Sequence, residues 1–414
     1  MSRVGKSLCT AALALITAGA GVLVVPPANA AGGSSTTYTA LTGKAAWNAG
    51  THLGTAVSSG RLVLSNPSTT TVDGVTYKTG TWTSGWITPG QAFSEAIPSW
   101  SATTPAGTWL KISLSVRKAN GTTSSFDTLA SWASGDKTIK RRSWPTQYDD
   151  FAYVNTDTLA TDNGVAVTAW QVRIDLFKRP TAASPSVQSI GVAASAPGAV
   201  PTTSTPSALA GKQLGVPAWS QMRHKGHYPE YGGGGEAWCS PTALAMAMAY
   251  FGALPNPRSW SWVKQPDLAP WVDHTARMTY DYAYKGTGNW SFNTAFAAQT
   301  LPTAYVSRLR DLTEVERYIA AGIPVTASIS FGAGQLTGSP IRSSRGHLVV
   351  IIGTTSNGRV IVNDPAAPTD TGVRRIYRRA EFERAWLGRS HGTVYLLTDA
   401  AHPLPNGPTE GRHR

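Results

Sequence analysis

Two stretches in the first half of the chain leave little choice of secondary structure. In TWLKISLSVRK, Leu110, Ile112, Leu114 and Val116 alternate with Lys111, Ser113, Ser115 and Arg117. In AWQVRIDLFKR, Trp170, Val172, Ile174 and Leu176 alternate with Gln171, Arg173 and Asp175. A helix would scatter those apolar side chains round its circumference, whereas a strand puts them all on one face. Turn signals at Asp73-Gly74, Asn120-Gly121 and Asn163-Gly164 separate such runs at sandwich-like spacing. Residues 35–195 therefore predict an antiparallel β-sandwich of the jelly-roll or galactose-binding kind. Trp82, Trp86, Trp100, Trp109, Trp132 and Trp144 suit either a core or a sugar-stacking face. Large aromatics dominate burial in sandwiches, so each is assigned to the core. Binding of cell wall or polysaccharide is kept as an expectation for the domain as a whole.

Ahead of this domain, residues 1–30 read as an export signal: Arg3 and Lys6, an apolar run from Leu8 to Val25, then Ala28-Asn29-Ala30. No second long apolar segment follows, so the expectation is a secreted, extracellular chain without a membrane span, with attachment to the cell wall as one variant. Cys9 leaves with the signal. Cys239 then stands alone, and no intramolecular disulfide can form. The formal charge is +13, but it is dispersed, and the densest runs are Lys137 to Arg142 and Arg374-Arg375 with Arg378-Arg379. Diffuse charge on a secreted protein implies attraction to anionic surface polymers, or solubility, rather than nucleic-acid binding. Residues 196–212, rich in Pro, Ser, Thr and Ala, read as a linker. A second domain is expected over 213–400, and a disordered polar tail over 401–414.

The second domain carries the chemistry. In CSPTALAMAMAYFG, Ser240 reads as a helix cap, Pro241 as the first helical residue and Gly252 as the stop. Cys239 then sits where the helix dipole and free N–H groups favour thiolate over thiol. A buried structural cysteine is the competing reading, and residue type alone favours it. A nucleophile needs a base, and the base needs an orienting group. GHLVVIIGTTSNGRVIVNDP reads as a hairpin turning at Asn357-Gly358, which returns Asp364 to the end of the strand opened by His347. Gln221 in PAWSQMRH is the candidate second oxyanion donor beside the Cys239 backbone N–H, against an ordinary surface glutamine. His274 has no strand pairing to position it. His224 and His227, with Glu236 and Asp273, suggest metal ligands, but no HExxH or paired CxxC spacing occurs, and no metal or cofactor is expected. The glycines of GGGGEAW are not followed by Lys-Ser or Lys-Thr, which excludes a phosphate-cradling loop. Thr313 and Glu316 read as a capping box. Asn289, Trp290 and Asn293 are possible cleft-wall residues.

The motifs VPAWSQM, WCSPTALAM, GHLVVIIG and VNDPA resemble the secreted branch of the bacteriocin-processing peptidase family C39, in the papain superfamily. The resemblance covers residues 214–398. It implies an α+β papain-like domain with Cys239 as nucleophile, His347 as general base and acid, Asp364 as orienting residue and Gln221 as oxyanion donor. The expected function is a monomeric cysteine peptidase cutting peptide or protein substrates through a thioester acyl-enzyme. The chain lacks the transporter segments of the better-known members, so their double-glycine leader substrates do not carry over. The interval from Gln221 to Cys239 is also wider than the superfamily pattern. Two rival readings compete with this one: a peptidoglycan amidase or transpeptidase using the same triad, and a catalytically silent glycan-binding protein. Trp238-Cys239-Ser240-Pro241 and Asn363-Asp364-Pro365 argue against the first, and the intact Cys, His and Asp against the second.

Overall fold

The alternating runs form strands Thr108–Arg117 and Ala169–Lys178, paired antiparallel with Leu110 opposite Leu176, Ile112 opposite Ile174 and Leu114 opposite Val172. The computed structural model describes residues 35–264 and 267–405; residues 1–30, read as an export signal, and 406–414 of the expected tail lie outside them. Two seven-stranded antiparallel sheets occupy residues 35–196. One contains the two strands above; the other is centred on Glu95–Thr103 and Ser186–Ala196. Both feed one core, which takes Trp82, Ile112 and Trp170 from the first sheet and Leu62, Trp100 and Ile190 from the second. Each such side chain contributes about 1.5–3 kcal/mol by leaving water. Trp82, Trp100, Trp109 and Trp132 are buried as expected. Trp86 is only half-buried, under the Arg117 guanidinium, and Trp144 is exposed beside Arg142.

Residues 213 onward build a six-stranded antiparallel sheet in the order Thr303–Arg308, Thr393–Thr398, Val325–Phe331, Ser344–Thr354, Val360–Asn363, Arg374–Tyr377. The helix Cys239–Tyr250 packs on it, with every residue from Ser240 to Met248 buried, because its sequence is apolar or small on all sides. No helix among the described residues is long and apolar enough to cross a membrane.

The two regions are packed into each other, within one compact unit. Phe292 and Ala295, from the helix Trp290–Ala297, enter the core of the N-terminal sheets, and Tyr38 stacks on Tyr305 with ring centroids 4.0 Å apart. Arg308 is buried and donates to Glu95 at 2.5 Å and Ser195 at 2.7 Å. Arg141, from the densest basic run, is fully buried and donates to the carbonyls of Arg277 and Ala133. That cationic run is thus partly a structural bolt.

The segment between the regions is bound along its length. Ser204 gives its N–H and hydroxyl to the Glu383 carboxylate at 2.9 and 2.5 Å, and the Ser207 N–H goes to Glu316 at 2.8 Å. The capping box is therefore not formed: Asp311 caps the helix Leu312–Ala320, while Thr313 donates to the Thr205 carbonyl. Lys212 and Gln213 then run across Gly353, where a Cβ would sit 2.3 Å from the Lys212 carbonyl oxygen. At the other end, residues 401–405 are held rather than loose, with the His402 ring bonded to Asp399 and packed near Phe251.

Candidate active site

Cys239 is itself the first residue of its helix, two positions earlier than the sequence predicts. Ser240 does not cap. Its hydroxyl donates to Asn293 Oδ1 at 3.0 Å and lies 2.9 Å from the Tyr395 hydroxyl. Trp238 occupies the preceding position, fully buried, with its indole N–H on the Tyr231 carbonyl at 2.7 Å. This anchors the chain just before the sulfur.

The predicted hairpin is present: Val350 pairs with Asn363 and Ile351 with Val362, and Gly358 takes the positive φ of 79° that the turn requires. A bulge between Ile351 and Gly353 shifts the register. His347 lies three residues into its strand, and Asp364 follows directly on the partner strand. The seventeen-residue separation closes to 2.7 Å between His347 Nε2 and Asp364 Oδ1. Nδ1 remains as the ring nitrogen for the bond that His347 makes with the Cys239 thiol. The other carboxylate oxygen accepts from the Tyr377 hydroxyl at 2.7 Å, and Oδ1 also takes the Ala366 N–H at 3.0 Å. Both carboxylate oxygens are thus engaged, as a fully buried charge requires.

The electrostatics follow from these contacts. Burial pushes the Cys239 thiol up, but the bond and charge of His347 and the N–H groups of Leu348 and Ser240 bring it below the ordinary thiol value. Burial pushes His347 down, but Asp364 and the Cys239 sulfur outweigh it and raise the imidazole to about 10. Burial pushes Asp364 up, and His347, Tyr377 and Ala366 together hold it below the usual carboxylate range. A thiolate–imidazolium pair is the favoured state.

Gln221 is buried and sits in a short turn, Gln221–His224. Its side-chain amide donates to the Glu236 carbonyl at 2.7 Å, and its backbone N–H to the Pro365 carbonyl at 2.8 Å. It does not line the cleft. The glycine run packs on the same turn: a Cβ on Gly235 would stand 2.2 Å from the His224 carbonyl, and Gly232, Gly233 and Gly234 all take positive φ. The glycines serve a close backbone approach.

Cys239 opens into a cleft of about 600 Å³. Of the expected wall residues, Trp290 lines it, while Asn289 caps the Trp290–Ala297 helix and Asn293 is buried. The turn between strands Ala152–Asn155 and Thr158–Thr161 supplies Asn155, Thr156, Asp157 and Thr158 from the N-terminal region. Asp157 accepts the Trp290 N–H at 2.5 Å, and burial pushes its carboxyl up to about 7. Lys285, Arg345 and Arg389 complete the charged lining.

Among the other histidines, His274 accepts from the Trp262 indole at 3.3 Å and burial pushes it down to about 4. His224, His227 and Asp273 do converge, with Asp267; Glu236 instead accepts the Gly226 N–H.

Residues 213–394 match the family described as Peptidase C39 like family, and residues 37–195 match the Peptidase C39 N-terminal domain. No curated protein matches the chain.

Proposed function

Since residues 213–394 belong to the peptidase C39-like family, we propose that the protein is a secreted cysteine peptidase with a papain-like catalytic domain behind a jelly-roll sandwich. The observation that carries this reading is the Cys239–His347–Asp364 chain of contacts, closed by the 2.7 Å bond between imidazole and buried carboxylate. The thiolate of Cys239 attacks the scissile carbonyl carbon. Protonated His347 then passes its proton to the leaving amine, leaving a thioester. His347, now neutral, takes a proton from water, whose hydroxyl oxygen attacks the thioester carbon and releases the acid and the thiolate, restoring the thiolate–imidazolium pair. Asp364 keeps the imidazole in the tautomer and orientation that both steps need. The Cys239 backbone N–H is the oxyanion donor; the Gln221 amide, which the family resemblance casts as the second donor, is held by the Glu236 carbonyl outside the cleft lining and would have to turn inward to serve. The substrate is a peptide or protein, taken by a monomer.

The test is direct. A thiol alkylator is expected to label Cys239 and abolish hydrolysis of casein, and Cys239→Ala to fold with an unchanged melting temperature but no turnover. Full activity in Cys239→Ala would remove the mechanism. Release of muropeptides from cell walls, with casein untouched, would replace it by the amidase reading.

A further inference from the structure

We propose that His224, His227, Asp267 and Asp273 form a structural zinc site that holds the loop between Gln221 and Cys239 in place. One donor atom from each of the four lies within 4.8 Å of all the others. His224 Nδ1 is 2.7 Å from Asp273 Oδ2 and 3.9 Å from Asp267 Oδ2, and His227 Nδ1 is 3.0 Å from Asp273 Oδ1 and 3.6 Å from Asp267 Oδ2. Four donors around a tetrahedral ion at about 2.0–2.1 Å are themselves ~3.3 Å apart, so these four, now up to 4.8 Å from one another, would draw in by small side-chain movements on binding.

Hydrogen bonding accounts for one contact in the cluster, between His227 Nδ1 and Asp273 Oδ1 at 3.0 Å, but not for the rest. The His224 side chain is 1% exposed, yet among the described residues neither ring nitrogen makes an aligned hydrogen bond, although Nδ1 is close enough to Asp273 for one. Asp273 Oδ2, on a side chain with no exposure, is in the same position. Donors at contact distance but aimed past each other are what a shared central cation produces. The two carboxylates also match a divalent charge in a place where two neighbouring buried anions are otherwise unfavourable.

The donor set selects the ion. Calcium and magnesium take six or more oxygens, whereas two imidazoles and two carboxylates suit zinc. Four protein ligands leave no open position, which makes the site structural rather than catalytic. Its location says what it steadies. His224 lies in the same turn as Gln221, its carbonyl packs on Gly235, and its ring centroid is 6.3 Å from that of Trp238, next to Cys239. Asp273 belongs to the helix Pro270–Thr279. The ion would therefore pin the first end of the loop to that helix, beside Trp238 at the other end.

The full chain, stripped with a chelator and titrated with Zn²⁺, tests this. One zinc per chain is expected by mass spectrometry in the wild type and in Cys239→Ser. At 100-fold excess over Kd, zinc should raise the melting temperature of both by roughly 3–4 °C. Cobalt in Cys239→Ser should give a tetrahedral d–d spectrum without thiolate bands. His227→Ala, at a 37% exposed side chain, and Asp267→Asn should each weaken zinc binding by roughly 100-fold or more. An identical melting temperature with and without zinc overturns the site. So does a zinc that is lost in Cys239→Ser and kept in His227→Ala, because it then sits on the thiol.

Discussion

Asp364 is the residue on which the electrostatics of the Cys239–His347 pair turn. Replacing it by Asn keeps the shape but removes the charge that favours imidazolium, and an amide can present the wrong tautomer. We expect Asp364→Asn to lower kcat/KM by about 10³-fold or more, measured with a peptide substrate. Tyr377→Phe should cost less, since it removes one of the bonds that Asp364 accepts. The lowered thiol and raised imidazole fix the sign of the pH dependence. The ion pair exists between the two, so the pH midpoint for alkylation of Cys239 should lie below that of an ordinary thiol. A rate that climbs only towards the titration of an ordinary thiol, near ~8.5, would contradict the pair. In stability, the depressed Asp364 contributes above the ordinary carboxylate value and loses that contribution as pH falls through its folded value. The raised His347 contributes in full below ordinary imidazole pKa and loses its part as pH rises through about 10. Cys239, His347 and Asp364 were legible because a helix start and a hairpin are local patterns. Tyr377 was not, because it comes from an arginine-rich strand whose sequence carries no sign of where its hydroxyl points.

At the scale of elements, period two identified the strands, and Asn357-Gly358 identified the hairpin. The helix starts at Cys239, two residues before the start read from the sequence, for a physical reason. Ser-Pro resembles a cap followed by a first helical position, but Ser240 finds its partners on Asn293 and Tyr395, far away in sequence. The cleft walls were equally hidden, since one is a turn over Asn155–Thr158, about eighty residues before Cys239 in the chain. Those walls suggest a preference. Lys285, Arg345 and Arg389 face the cleft and are exposed, against one acid, Asp157, whose carboxyl is raised to about 7. We expect peptides with acidic residues beside the scissile bond to be cut with higher kcat/KM than neutral ones, with an advantage that shrinks as salt rises. Arg345→Glu should reverse that order while leaving neutral peptides little changed. Equal loss on both classes would mean that Arg345 serves the fold instead.

For the whole molecule, the sharing of cores and the Arg308–Glu95 pair imply that the N- and C-terminal regions unfold together. Scanning calorimetry should show one cooperative transition, and two resolved peaks would disprove the coupling. Glu95→Ala strands the buried Arg308 charge and should cost about 3 kcal/mol, the lower end for a broken buried pair because Glu95 is partly exposed. The composition of residues 196–212 gave no hint of this coupling. Its Pro, Ser and Thr content is that of a free tether, and the carboxylates that hold it, Glu316 and Glu383, lie on helices far along the chain.

That bound connector bears on how such an enzyme survives its own company. Copies of a peptidase meet one another as well as other substrates, and an exposed tether is the natural first cut. Here the Ser204 and Ser207 amides are already spoken for, and Pro206 lies so close over Gly358 that a Cβ there would reach 2.1 Å from the ring. The segment has to be peeled from two buried carboxylates before it can enter another molecule's cleft. For the peptidase proposed above, these contacts are expected to make the seam between the two halves a poorer site for self-digestion than a free tether of the same composition.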